Sequence, residues 1–138
     1  MNVEIVNLDL GKLFPVILKL VYSKKGTIRE IVRNSIEKDN QLVYLHQELE
    51  GDSRSPVSLV YNIPGTANVY LVLNGEITMD TLIHECSHVI FRIFEITGSP
   101  ITEDTEEFFS YMLGAVFSEC VKTIKQNFKI KPKDCFYE

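Results

Sequence analysis

Apolar positions change period along this chain. "VEIVNLDL" (3–10) and "PVILKLVYS" (15–23) are short runs rich in β-branched residues, and they read as two strands. Pro15, which cannot donate to a ladder, belongs at a strand start or edge. From Thr27 the period becomes helical, with Ile28, Ile31, Val32 and Ile36 on one face. "NQLVYLHQELEG" (40–51) leans to helix, and "EGDSRSP" (50–56) is a loop by composition. "VSLVYNI" and "ANVYLVLNG" flank Pro64–Gly65 as the arms of a hairpin. Pro–Gly suits the centre of a type II turn, because glycine accepts the positive φ required there. In the second arm Val69, Leu71 and Leu73 alternate with Tyr70 and Val72. Both faces of that strand are apolar, so both must be covered.

Two long helices follow. Thr78 is an N-cap candidate with Asp80 in the first turn, and the pattern runs to about Ile96, where Gly98 and Pro100 stop it. The second helix starts near Asp104 or Thr105 and carries apolar residues from Phe108 to Ile124. Asp104 and Glu107 have the spacing of a capping box. The tail "FKIKPKDCFYE" is irregular or a short strand.

The chain has 138 residues, 45% hydrophobic and 24% charged, which suits one domain (1–138) with one core. The net charge is −5, and the basic residues gather only at Lys24–Lys25 and at Lys129, Lys131 and Lys133. Both clusters read as solvated surface, and nucleic acid is a poor partner for so acidic a chain. No run of eighteen apolar residues exists, so no membrane span is expected. The first ten residues lack the basic start and apolar centre of a signal peptide. Cys86, Cys120 and Cys135 lack CxxC spacing, which excludes a zinc ribbon. Their odd number and the missing export signal imply free thiols in a reducing compartment such as the cytoplasm.

One stretch changes the picture. "TLIHECSHVIFRIF" (81–94) holds two of the three histidines, His84 and His88, with Glu85 directly after the first. On a helix, taking His84 as zero, His88 falls at about 40°, Glu85 at about 100° and Cys86 at about 200°. The two imidazoles share a face and can grip one zinc ion, while Glu85 flanks them as a base for a metal-bound water. Cys86 points the other way, with Leu82, Ile90 and Ile93, into the core. Glu95 shares the histidine face but lies about 10 Å too far along the axis to join them. A third protein ligand is needed. Glu107 leads a stripe with Glu103, Tyr111, Gly114 and Ser118 on the second helix, and Gly114 would let that helix approach the first. Glu107 is preferred to its neighbour Glu106, although both also suit the positive end of a helix. His46 is the remaining histidine.

His84, Glu85, His88, then Gly98, then Glu107 in "EEFFSYMLG" resemble the gluzincin metallopeptidases, and more closely the small zinc peptidases encoded by bacteriophages. The similarity covers about Val57 to Ile124. It implies zinc held by His84, His88 and Glu107, with Glu85 as general base. Tyr111 would be either an oxyanion donor or a packing residue. It also implies hydrolysis of a peptide or protein substrate, in a host bacterial cytoplasm if the source is a phage. Peptidases of this kind usually add a lower subdomain with an oxyanion-stabilising residue, which this chain lacks, and Met1 to Arg54 carries no motif.

The expected architecture is α+β: a minimal zincin-like core in which a small twisted sheet packs on the HExxH helix. The second long helix lies behind it and the Ile28 helix on the same side. The competing expectation is a non-catalytic zinc protein that acts by binding a protein partner, its metal site closed by a fourth side chain such as His46 or Cys135. Substrate, cleavage preference and oligomeric state are not legible in the sequence.

Overall fold

The computed structural model describes residues 2–8, 10, 16–40 and 58–133. The helix expected over 40–51, the loop at 50–56, and the side chains of His46 and Cys135 lie outside them.

The fold is α+β. Four strands, β1 (Glu4–Leu8), β2 (Ile17–Ser23), β3 (Ser58–Asn62) and β4 (Asn68–Asn74), form one mixed sheet in the order β1-β2-β4-β3. β1 pairs antiparallel with β2, β2 parallel with β4, and β4 antiparallel with β3. The β3–β4 hairpin turns as the Pro–Gly pair predicts. Gly65 has φ 77°, and Thr66 N donates to Ile63 O at 3.1 Å.

Alternation along the two central strands feeds both sheet faces. Leu18, Leu20, Tyr22, Val69, Leu71 and Leu73 enter one core, while Val21, Tyr70 and Val72 enter the other. Over the second face lies α1, which begins as Ile28–Val32, passes through a π-helical turn at Arg33–Glu37 and continues as Lys38–Asn40. Thr27 caps it, accepting from Glu30 N at 3.2 Å, and Ile28, Ile31, Val32 and Ile36 seal it onto Tyr70 and Val72. The Ile28 helix is therefore not on the side of the histidine helix. β2 and β4 are apolar on both faces, and the second face needs a cover of its own. Each such fully buried side chain contributes about 1.5–3 kcal/mol.

The first face carries α2 (Met79–Thr97) and α3 (Glu103–Thr123, continued by a π-helical turn at Ile124–Phe128). They lie side by side, α2 against β3 and β4 and α3 against β1, so α3 is beside α2 and not behind it. Thr78 accepts from Thr81 N at 3.3 Å, and Gly98 closes α2 in the left-handed conformation at φ 71°. α3 starts earlier than predicted. Its capping box is Thr102 with Thr105, not Asp104 with Glu107, because the loop ends at Thr102 in extended geometry. In the tail, Lys133 bridges Thr78, with Met79 N donating to Lys133 O at 2.7 Å. Among the described residues no helix is long and apolar enough to cross a membrane.

Candidate metal centre

α2 buries Leu82, Cys86, Val89, Ile90, Ile93 and Phe94 against the sheet and α3. Helical geometry then forces His84 and His88 onto the opposite, outer face. Their Nε2 atoms converge to 3.2 Å, with the rings edge to face at 4.9 Å between centroids. At that spacing the two rings are hydrogen-bonded to each other, and the same two nitrogens are donors of the kind that bind a borderline-soft cation such as zinc.

Glu85 stands between that face and the core. It is only 9% exposed, yet its Oε1 lies 4.0 Å from His84 Nε2. On the helix it heads a row with Val89, Arg92 and Ile96. Ile96 borders a small cleft with Asn62 and Thr66 at the β3 hairpin end, so Glu85's row runs along β3. Among the described residues β3 is the sheet edge on this side. Glu85 thus separates the imidazole pair from an edge strand.

Cys86 is wholly buried, as its position on the wheel requires, and its Sγ donates to Cys120 Sγ of α3 at 3.8 Å. Both are free thiols. The contact with Cys86, reinforced by burial, pushes the Cys120 thiol well above its ordinary range.

The structure does not bring the other candidates to the pair. α3 buries Met112, Val116 and Cys120, so the stripe of Glu103, Glu107, Tyr111, Gly114 and Ser118 faces solvent. Cys86 against Cys120, and Phe91 against Phe109 with rings 5.3 Å apart, fix the antiparallel register of the two helices. By the nearer Phe91–Phe109 contact Glu107 is level with about Ile93, roughly 7 Å beyond His88 along the axis, and by the Cys86–Cys120 contact it is further still. Glu106 stands at the same end of α3, also exposed. Tyr111 is 72% exposed, so it is not a packing residue. Gly114 does not bring the helices together: a Cβ there would meet nothing within 4 Å. Glu95 is instead paired with Arg92 at 3.3 Å. Among the described residues no group of three His, Cys, Asp or Glu could hold a metal ion. The His84–His88 pair suits a cation such as zinc by donor type, but it offers two donors among the described residues where a zinc site needs at least three from the protein.

Sequence reasoning passed over the aromatic wall beside the pair. Phe91, three residues past His88 and 6.3 Å from its ring, leads through Phe109 to Phe94 and Phe108. The sign of it was present in the helical spacing of Phe91 and Phe94 and in the adjacent pair Phe108 and Phe109 on the next helix.

No family model, curated protein or solved structure matches the chain.

Proposed function

We propose that this chain is a zinc-dependent peptidase of the HExxH type, with His84 and His88 as metal ligands and Glu85 as general base. The observation that carries the reading is the convergence of the two Nε2 atoms at 3.2 Å with a nearly buried carboxylate 4.0 Å away. A buried carboxylate is costly without a balancing charge, and a cation gripped by the two imidazoles supplies one. Zinc, when bound, acidifies a water and polarises the scissile carbonyl. Glu85 would take a proton from the attacking water at its carboxylate and give it to the leaving amine. The free edge of β3 among the described residues, running beside the Glu85 row, suits an extended peptide added as a further strand. Glu107 remains the proposed third ligand, with Glu106 as its alternative and His46 as the remaining histidine.

The reading is tested by metal analysis and by hydrolysis of a quenched peptide library. The full chain should hold one zinc and cleave a subset of peptides. Glu85→Gln should hold zinc and cleave none. Wild-type rates in Glu85→Gln would remove Glu85 from the mechanism.

The alternative, a non-catalytic zinc protein acting on a partner, draws on one observation: the pair stands open with two ligands among the described residues. A partner side chain would then complete the site. Zinc bound without any exchangeable water, as read by X-ray absorption, would favour it.

A further inference from the structure

β2 and β4 run parallel, but the chain leaves them in opposite directions. From Ser23 it passes to α1 on one face of the sheet, and from Asn74 to α2 on the other. Between those diverging connections, beyond the carboxyl ends of the two strands, a crevice must open, and α/β sheets hold small ligands at such points. A cleft of about 910 Å³ occupies this place. That volume is the size of a small-molecule site.

Its construction is more specific than the topology requires. The floor is Tyr22 stacked on Phe128, with centroids 5.1 Å apart and planes inclined by 24°. Lys24 and Lys25, from the β2 connection, and Lys129, from the end of α3, stand on the rim. These belong to the two basic clusters that lie about a hundred residues apart in the sequence. Among the described residues no carboxylate forms an ion pair with these three lysines, whereas Glu76 on the same rim is neutralised by Lys133 at 2.7 Å. Lys129 is also the one non-glycine residue with positive φ among those described, at 57°. It is the left-handed stop of the last turn of α3, closed by Ile130 N donating to Ile124 O at 3.3 Å. The walls are tied before any ligand arrives. Gly75 N donates to Ser23 O at 3.0 Å, Tyr22 OH to Gly75 O at 2.7 Å, and Asn74 Nδ2 to Gly26 O at 3.0 Å.

We infer that this switch-point cleft binds a small amphipathic organic anion. Its flat or aliphatic body would lie on Tyr22 and Phe128, and its carboxylate, sulfonate or phosphate among Lys24, Lys25 and Lys129. Glu4 and Glu30 on the same lining limit the site to a ligand of low charge and disfavour a polyanion such as nucleic acid. The site is independent of the histidine pair and stands whether or not the chain hydrolyses peptides.

The probe is 8-anilinonaphthalene-1-sulfonate, with the uncharged N-phenyl-1-naphthylamine as its partner. Amide NMR on the folded full chain should show saturable binding of one sulfonate, with shifts at Ser23–Gly26, Gly75–Glu76 and Phe128–Ile130. Lys24→Gln with Lys129→Gly should weaken the sulfonate roughly fivefold to tenfold, the sum of two partly solvated charge contacts, and leave the uncharged compound unchanged. Lys129→Gly alone separates binding from folding. Glycine relieves the positive φ, so this variant should melt no lower than wild type yet bind the sulfonate more weakly. Equal binding by wild type and double variant, failure to saturate, or shifts centred on Phe91 and Phe108 would overturn the assignment.

Discussion

Glu85→Gln offers a test in which stability and activity should move in opposite directions. Glu85 is 9% exposed, and its Oε1 lies 4.0 Å from an imidazole that is itself 67% exposed. In EDTA that carboxylate has no metal cation to face. An unpaired buried charge costs several kcal/mol in full burial. Here the side chain keeps an edge in water, so a net cost of about 1–2 kcal/mol is the reasonable scale. Glutamine keeps the shape and removes the charge. The metal-free variant should therefore be more stable than wild type by about 1–2 kcal/mol, a rise in Tm of roughly 4–8 °C for a chain of this length. Saturating zinc should reverse the order, because the charge missing from glutamine is the one that attracts the cation. Linkage then requires the ratio of zinc affinities, wild type over variant, to exceed about 5–30. Urea titrations with and without zinc measure both quantities. A variant less stable than wild type in EDTA would show that the carboxylate is a structural hydrogen-bonding group, and the argument for a base would lose its footing.

His84→Ala should lose zinc on metal analysis while keeping its fold, since the imidazole it removes stands in solvent; full occupancy would place the metal elsewhere. Zinc retention in Glu107→Gln and Glu106→Gln, with loss in His46→Ala, would transfer the third ligand from α3 to the amino-terminal half. Cys86→Ala should cost about 1 kcal/mol, the scale of one buried sulfur, with zinc content and the number of fast-reacting thiols unchanged; zinc loss in a folded Cys86→Ala would mean that α2 is rotated. Stability should fall as pH rises past the ordinary thiol value of 9.0, because folded Cys120 keeps a proton that the unfolded chain releases, whereas below that pH both states are protonated and the effect is absent. Its slope is at most about 1.4 kcal/mol per pH unit, and Cys120→Ala should flatten the alkaline limb of a denaturation series.

Local pattern was enough wherever one element decides the outcome. Thr78 and Gly98 mark the ends of α2 because a cap and a left-handed stop are properties of single turns. The shared face of His84 and His88, and the opposite bearing of Cys86, follow from helical pitch alone. The double apolar face of β4 announced two covering layers. What it could not announce was which helix covers which face. Ile28, Ile31, Val32 and Ile36 would seal either side of the sheet equally well, and the choice of side is made by chain crossing, not by composition.

The third ligand fails to be legible for a related reason. Glu107, Tyr111 and Gly114 do share one face of α3, as the spacing says. Whether that face meets α2 depends on rotation about the α3 axis, which Met112, Val116 and Cys120 decide by entering the core. A polar stripe with a glycine is equally the signature of a solvated face, and here the core residues claim the opposite side. The lysines show the converse. Lys24, Lys25 and Lys129 are exposed, as two short basic clusters should be, and neither cluster alone forms a site. They meet only because β2 and β4 pair in parallel and release the chain to opposite faces, while the end of α3 returns beneath the same strands. A ligand site made by topology leaves no contiguous motif, whereas one made by helical pitch must. The imidazole pair is therefore visible in fourteen residues and the cleft only in the fold, and the two require separate experiments, one with zinc and one with an organic anion.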